Sequence, residues 1–234
     1  MGGWASWLGP EEWQAVRLSL RVSGVATLAS LPLGILAAHA LARWSFRGKA
    51  LLNGLVHLPL ILPPVVTGYL LLLTFGRRGA VGEVLAQFGI VLAFRWTGAA
   101  LAAAVMGFPL MVRAIRLALE AVDPKLEAAA RTLGASPPWV FTTVTLPLIL
   151  PGVVAGSILA FAKAMGEFGA TITFVANIPG ETRTIPSAIH AFLQMPGGEA
   201  AAGRLVIVSV ALAMGALWLS EVLARRLARR VAGQ

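Results

Sequence analysis

Five long apolar segments constrain the fold of this 234-residue chain more than any other feature. A helix needs about 20 apolar residues to cross the hydrocarbon core of a bilayer, where an irregular lipid-exposed backbone would leave its N–H and C=O groups without partners. The segments therefore predict an all-α integral membrane protein, a polytopic bundle of about five transmembrane helices. The predicted spans cover residues 13–41, 50–75, 96–112, 146–165 and 205–223.

Composition excludes an ordinary soluble protein. Charged residues make up 12% of the chain and the mean hydropathy is +0.81, whereas soluble domains carry about 25% charged residues. The net charge is +9, but the basic residues cluster between apolar segments, which is typical of membrane topology signals. We therefore expect contact with membrane lipid and no binding of nucleic acid.

Lysine and arginine residues are unevenly divided between the two sides of this predicted bundle. Eleven fall on the side that includes the C-terminal end: Arg43, Arg47, Lys49, Arg113, Arg116, Lys125, Arg131, Arg225, Arg226, Arg229 and Arg230. Seven fall on the opposite side: Arg17, Arg21, Arg77, Arg78, Arg95, Arg183 and Arg204. Loops rich in these residues stay in the cytoplasm. We therefore predict a multi-pass protein of the cytoplasmic (inner) membrane with its N-terminus outside and its C-terminus in the cytoplasm.

Prolines interrupt the apolar segments. Pro63 and Pro64 lie inside the second span and must break or kink it, because each removes a backbone donor. Such a break serves either a transport pathway or helix packing, and the sequence leaves both open. Two further apolar segments, residues 80–94 and 170–176, are too short or too broken to be spans, and we predict that they are interfacial or re-entrant.

The sequence contains no recognisable catalytic or metal-binding motif. The chain has no cysteine, its three histidines lack metal-ligand spacing, and no phosphate-binding Gly-x-x-x-x-Gly-Lys run occurs. We therefore predict no catalytic or metal site and no cofactor bound by this chain. If ATP drives its function, a partner subunit hydrolyses it.

One pair of charges lies near the predicted outer end of the fourth span. Lys163 and Glu167 are four residues apart, so they can neutralise each other on one helix face. The segment Gly166-Glu167-Phe168-Gly169 then predicts a helix break, either a simple end of the span or a gate. Small and hydroxyl residues suited to lining a path for an anion are Pro63, Thr67, Ser157, Thr171 and Thr173.

A polar, amphipathic segment between the third and fourth spans must lie at or beyond the membrane surface. Its residues Gly134 and, after nine others, Val144-Thr-Leu-Pro147 resemble the EAA loop of type I ABC importer permeases. The resemblance implies a coupling-helix loop over residues 120–145 that docks into the ATPase subunit. Its expected contact residues are Glu127, Ala129, Ala130, Arg131, Gly134, Leu146 and Pro147.

This loop departs from the family pattern at one position. Counting back from Gly134, the family's glutamate falls on Ala128, and the glutamate of this chain is Glu127. One residue turns a side chain by about 100° around a helix. A salt bridge from Glu127 to the ATPase is therefore in question, and Arg131 is the alternative source of a charged contact.

The resemblance extends over residues 12–226 and is closest to bacterial molybdate permeases. It is carried by His57–Tyr69, Phe108–Glu120, Gly166–Phe174 and Asn177–Pro186. It implies one ABC transmembrane domain, a homodimer, cytoplasmic ATPase subunits and a periplasmic oxyanion-binding protein that delivers molybdate or tungstate. The alternatives are a sulfate or thiosulfate permease and, more remotely, an ATP-independent channel or scaffold. The expected contacts with the binding protein are Asn177, Gly180, Glu181, Thr182, Arg183 and Thr184.

Overall fold

The computed structural model describes residues 7–231, except for the side chains of residues 224, 225 and 227–231. Every regular element in this part of the chain is helical. The helices are α1 (Pro10–Arg43), α2 (Lys49–Ile61), α3 (Pro64–Phe75), α4 (Ala80–Gln87), α5 (Trp96–Ala121), α6 (Pro124–Thr132), α7 (Pro137–Val140), α8 (Leu146–Met165), α9 (Gly169–Val175), α10 (Ile185–Leu193) and α11 (Glu199–Val231). A π-helical turn (Phe141–Thr145) joins α7 to α8.

Four helical segments are long and apolar enough to cross a membrane: Pro10–Arg43, Trp96–Ala121, Pro137–Met165 and Glu199–Leu223. Taken together, α2 and α3 are long and apolar enough to form a fifth span, but they are bent by 117° where they meet. The prediction that Pro63 and Pro64 break the second span is confirmed, since α2 ends at Ile61 and α3 begins at Pro64. Residues 50–75 therefore do not form one straight helix.

The centre of the bundle is α5, which packs between α1 and α8. Small residues allow this close contact. A Cβ atom added to Gly107 of α5 would lie 2.9 Å from the carbonyl oxygen of Ala160, and one added to Gly156 of α8 would lie 3.0 Å from that of Met111. Helices in membranes approach closely where such small residues face each other. The glycines thus set the distance between α5 and α8.

The two short apolar segments differ from each other in the structure. Residues 80–94 contain the short helix α4 followed by an irregular stretch. Residues 170–176 lie almost wholly in α9, which packs against α3 and α5 and buries Ala170, Thr171, Phe174 and Val175. Of the two positions expected for this segment, interfacial or re-entrant, its burial against α3 and α5 favours the re-entrant one.

Polar contacts between residues far apart in sequence join neighbouring helices at each end of the bundle. Arg204 of α11 donates to both carboxylate oxygens of Glu12 in α1, at 2.9 and 3.2 Å. At the same end the backbone N–H of Ile185 donates to Ser19 Oγ at 2.7 Å. The last residue of α1, Arg43, lies at the opposite end and donates to the carbonyl of Val122 at 3.0 Å. One end thus holds the loop before α10, and the other holds the polar segment α6–α7.

Candidate functional site

The ends of helix α6 in the polar segment are set by residues of the local sequence. Asp123 caps α6, because its carboxylate accepts from the backbone N–H of Lys125 at 2.9 Å. Pro124 occupies the first helical position, where no N–H is needed. After α6, Gly134 takes a φ of +87°, a left-handed conformation that glycine adopts without steric cost. Gly134 therefore forms a tight turn directly after α6.

Glu127 faces the interior of the bundle. Its Oε1 accepts from the hydroxyl of Thr145 at 2.9 Å and lies 3.4 Å from Nη2 of Arg43. The side chains of Glu127 and Arg43 are 12% and 18% exposed. Glu127 therefore joins α6 to the end of α1 and to the π-helical turn, and its carboxylate is already engaged within the chain. We call Arg43, Glu127 and Thr145 the inner clamp.

The opposite face of the segment is open and partly apolar. Leu126, Leu133 and Trp139 are 49%, 88% and 61% exposed. A groove of about 600 Å³ runs between Leu133 and Trp139. Arg131 is exposed. Exposed apolar side chains beside a groove are typical of a protein interaction surface.

The expected docking residues are divided between these two faces. Ala129, Arg131, Gly134 and Pro147 are exposed and Ala130 and Leu146 are partly exposed, whereas Glu127 is buried. The residues suited to contact a partner therefore exclude Glu127. Sequence reasoning missed Leu133 and Trp139 as exposed contacts and Arg43 and Thr145 as members of the inner clamp. The presence of two large apolar residues, Leu133 and Trp139, within a polar segment was a usable signal in the sequence, but nothing in the sequence pairs Arg43 with Glu127.

A helix break follows α8 at the other end of the bundle. Lys163 Nζ lies 3.4 Å from Glu167 Oε2, so the structure brings together the pair expected from the sequence. The other carboxylate oxygen of Glu167 accepts from the backbone N–H of Ala170 at 2.9 Å. Glu167 is 3% exposed. It therefore has two roles, a countercharge for Lys163 and a partner for an N–H in the first turn of α9.

The helices α3 and α9 touch through their backbones at this break. A Cβ atom on Gly68 would lie 2.5 Å from the carbonyl oxygen of Ala170, and one on Gly169 would lie 2.7 Å from Cβ of Pro64. Distances this short leave no room for a methyl group. Pro64 of the bent pair and Gly169 of the break therefore meet at one place.

Two of the four hydroxyl groups expected along a path are occupied by bonds within their own helices. Ser157 donates to the carbonyl of Val153 and Thr173 to that of Gly169, each at 2.8 Å within its own helix. These hydroxyls can still accept hydrogen bonds, but their protons are not free to bind an anion. Thr171 is buried, and Pro63 is exposed at the bend. Thr67 is buried and its hydroxyl has no hydrogen-bond partner within the described residues.

The loop between α9 and α10 is tied to its surroundings by its own polar residues. Thr182 Oγ1 accepts from the N–H of Ile178 and donates to the carbonyl of Ala176, and Arg183 bonds Asn177 and Glu11 at 3.1 Å each. Glu181 accepts from the N–H of Trp96 at 3.4 Å. Of the six expected contact residues, Thr182 and Thr184 are buried, Asn177, Glu181 and Arg183 are partly exposed, and Gly180 is exposed. The accessible tip of the loop is Ile178–Gly180.

No group of three or more His, Cys, Asp or Glu residues within the described part of the chain could hold a metal ion. The described residues instead form three structural features. These are the exposed α6–α7 segment held by the inner clamp, the helix break at Gly166–Gly169 where α3 contacts α9, and the hydrogen-bonded loop between α9 and α10.

Residues 30–232 match the family described as the binding-protein-dependent transport system inner membrane component. The chain belongs to this family. It is therefore a multi-pass transport component of the inner membrane and not an enzyme. The family membership and the fold class expected from the sequence are both confirmed.

Curated relatives resemble the chain over nearly its whole length. The "Molybdenum transport system permease protein ModB" of Escherichia coli is 65% identical over 95% of this chain and 97% of its own. The protein of the same name from Haemophilus influenzae is 55% identical over 94% and 96%. The "Sulfate transport system permease protein CysT" of Salmonella typhimurium is 37% identical over 98% and 83%.

A solved structure has the same fold. The structure of a bacterial ABC transporter that imports the acidic polysaccharide alginate superposes with a TM-score of 0.74 at 18% identity, covering 93% of this chain and 80% of its own. At this identity the likeness concerns the fold alone. It supports the type I ABC importer permease fold expected from the sequence.

Proposed function

We propose that this chain is the permease subunit of an ATP-driven ABC importer that carries molybdate, and tungstate as a related oxyanion, across the cytoplasmic membrane. The observation that carries the proposal is the 65% identity to a molybdenum transport permease over 95% of this chain. The sulfate permease is more distant, at 37% identity over a similar length. Residues 12–226 form the transmembrane domain of this subunit.

The proposed complex contains two copies of this chain, two cytoplasmic ATPase subunits that use ATP, and a periplasmic oxyanion-binding protein. The exposed face of α6–α7 docks the ATPase, which supports a cytoplasmic position for that end of the bundle. The Ile178–Gly180 tip then meets the binding protein on the outer side. The N-terminus lies outside and the C-terminus in the cytoplasm.

Motion of the ATPase would pass into the membrane through the inner clamp and the π-helical turn. Glu127 links α6 to Arg43 at the end of α1, and Thr145 leads directly into α8. At its other end α8 reaches the break at Gly166–Gly169, beside the contact of α3 with α9. Closure of the ATPases on ATP brings the docking loops together and opens this break. Hydrolysis restores the inward-facing state.

The anion path would run beside this break along Pro63, Thr67, Ser157, Thr171 and Thr173. A path without an unpaired cation is suited to a divalent anion, because a strong cationic site would trap the anion as well as admit it. Lys163 does not provide such a site, since Glu167 neutralises it. The hydroxyl of Thr67 has no hydrogen-bond partner within the described residues and lines a groove between α2, α3 and α5, so it is a candidate donor on this path.

The test is uptake into proteoliposomes that contain the permease with its ATPase, supplied with binding protein and labelled anion. We expect molybdate uptake that needs internal ATP and that excess tungstate inhibits more strongly than excess sulfate. Uptake of sulfate with no uptake of molybdate would support the sulfate alternative. Uptake that proceeds without ATP would identify an ATP-independent channel.

A further inference from the structure

An apolar groove of about 570 Å³ opens on the side of the bundle between α1, α2 and α5. Val25, Ala29 and Leu33 line it from α1, and Leu101, Ala104 and Phe108 line it from α5. Ser30 and Thr97 are the polar exceptions in its wall. The hydroxyl of Ser30 donates to the carbonyl of Ala26 at 2.7 Å, so it presents no free proton to the groove.

An arginine stacked on a tryptophan stands at one mouth of this groove. The guanidinium carbon of Arg21 lies 3.6 Å from the ring centroid of Trp96. Arg21 is one helical turn before Val25 on the same face of α1, and Trp96 directly precedes Thr97. The cation and the aromatic ring therefore border the outer end of the apolar wall.

The spacing along α1 places Arg21 at the level of lipid headgroups. Arg21 and Arg43 are 22 residues apart on one helix, which corresponds to about 33 Å at 1.5 Å per residue, close to the ~30 Å thickness of the hydrocarbon core. From Arg21 to Leu33 the helix rises about 18 Å, a little more than the ~15 Å of one leaflet. The groove thus runs from the headgroup level to the middle of the bilayer.

Arg21 has no carboxylate partner among the ion pairs of the described residues. The nearest acidic group that the structure ties to this mouth is Glu181, which accepts from the N–H of Trp96 at 3.4 Å. Glu181 forms no ion pair within 4.0 Å of the Arg21 guanidinium. An exposed arginine at headgroup level is therefore available for a phosphate, which guanidinium groups bind in bidentate geometry.

We propose that this groove is a binding site for one anionic phospholipid of the outer leaflet. An acyl chain lies along Val25, Ala29 and Leu33, and the phosphate meets Arg21 on Trp96. An anionic headgroup is favoured over a zwitterionic one because Arg21 has no carboxylate partner within the described part of the chain. The choice of leaflet rests on the proposed orientation, whereas the binding itself does not depend on which anion is transported.

The test uses the purified complex in detergent, supplied with phosphatidylglycerol or phosphatidylcholine and examined by native mass spectrometry. We expect the wild-type complex to retain phosphatidylglycerol in preference to phosphatidylcholine. Arg21→Gln should lower the retained phosphatidylglycerol about five-fold, the effect of one basic residue at an anionic lipid surface. Ala104→Trp should fill the groove and lower it further. Arg78→Gln, an exposed arginine away from this groove, is the matched control and should leave retention unchanged.

A second measurement distinguishes the lipid from a second copy of this chain. Because the chain has no cysteine, Leu33→Cys carries a single photoreactive label into the groove. Cross-linking to phosphatidylglycerol supports the site, whereas cross-linking to another permease chain overturns it. Equal retention of the two lipids, or unchanged retention in Arg21→Gln, also overturns it. A complex that holds the lipid but does not import molybdate contradicts the proposed function alone.

Discussion

The carboxylate of Glu127 joins parts of the chain that are far apart in sequence. Arg43 is 84 residues away and Thr145 is 18 residues away. Both contacts are largely shielded from water. At such sites a charge needs a partner, and a polar group without a hydrogen bond is costly. At the residue scale, the shape of the docking segment therefore depends on Glu127 as well as on the turn at Gly134.

The first prediction is that Glu127→Ala lowers both stability and transport. The substitution leaves Arg43 without its carboxylate and removes the acceptor of Thr145, at a cost of about 1–3 kcal/mol. The sequence puts a salt bridge from Glu127 to the ATPase in question, and the contacts with Arg43 and Thr145 give this carboxylate a role within the chain instead. Thermal unfolding of the purified permease and molybdate uptake by the complex measure the two effects.

Glu120→Ala is the matched control for Glu127→Ala. Glu120 forms an exposed ion pair with Arg116 four residues away, and such pairs contribute about 0.3–0.5 kcal/mol. Its removal should leave the unfolding temperature and uptake nearly unchanged. Equal losses in both variants would contradict the role given to the inner clamp.

The second prediction is that Gly134→Val weakens ATPase docking. A side chain at a φ of +87° costs about 1–2 kcal/mol, and a β-branched one is the least tolerated. A Cβ here would meet no atom within 4 Å, so the effect comes from the backbone. We expect at least a five-fold loss of ATPase affinity or uptake, and a smaller loss for Gly134→Asn. Binding of the purified ATPase to the permease measures it.

Gly48→Val introduces the same kind of strain outside the docking loop. Gly48 has a φ of +95° and open space around it. This variant should lose stability to a similar extent while its affinity for the ATPase stays normal. If Gly134→Val bound the ATPase as well as the wild type does, the turn would not be needed for docking.

At the element scale, α3 and α9 are held at backbone contact by glycines. The bend of 117° between α2 and α3 brings Pro64 and Gly68 against the first turn of α9. A short buried helix of seven residues has little stability of its own, so its position depends on these contacts. The contact of α3 with α9 is therefore the natural place for a movement that opens a path.

The third prediction is that Gly68→Ala impairs transport without preventing assembly. The added methyl would lie 2.5 Å from the carbonyl oxygen of Ala170, so α3 and α9 must move apart. We expect uptake to fall while ATPase binding persists, with ATP hydrolysis less dependent on the binding protein. Gly54→Ala on α2 meets no atom within 4 Å and should behave as the wild type. Normal uptake by Gly68→Ala would show that this contact is not part of the gate.

The fourth prediction concerns the charges at the end of α8. Lys163→Met alone leaves the carboxylate of Glu167 buried without a countercharge, which is strongly unfavourable. In Lys163→Met with Glu167→Gln both charges are removed, and the amide oxygen can still accept from Ala170. We therefore expect a large loss of uptake in the single variant and near-normal uptake in the double variant. Loss in the double variant with assembly and ATPase activity intact would assign the pair to handling the anion or working the gate.

At the scale of the whole molecule, separate sets of ion pairs hold the two ends of the helix bundle. Glu12 with Arg204 and Glu11 with Arg183 join helix ends at one end of the bundle, while the inner clamp joins the α6–α7 segment to α1 at the other end. Of the C-terminal arginines, the side chains of Arg225, Arg229 and Arg230 lie outside the described residues. The orientation across the membrane therefore depends on charge distribution and on the docking segment.

The fifth prediction is that the C-terminus is cytoplasmic. The sum of basic residues favours that side, and the docking segment must face the compartment that contains ATP. Fusions after Gln234 should be active with a cytoplasmic reporter and inactive with a periplasmic one. The opposite pattern would refute both the orientation and the docking role of α6–α7.

The sequence by itself determined the apolar spans, the break at Pro63–Pro64, the polar segment between the third and fourth spans and the pairing of Lys163 with Glu167. These features depend on residues that are adjacent or within two helical turns, where composition and proline chemistry decide the outcome. The resemblance in its motifs was sufficient to indicate the family.

Only the tertiary structure decided which face of the docking segment is available and where α9 lies. Glu127 is turned inward by Arg43, 84 residues away, and α9 is buried because α3 bends back onto it. The hydroxyls of Ser157 and Thr173 bond their own helices, and Arg21 meets Trp96 across two helices. Such contacts depend on helix packing and rotamer choice, which a single sequence does not encode in any local pattern.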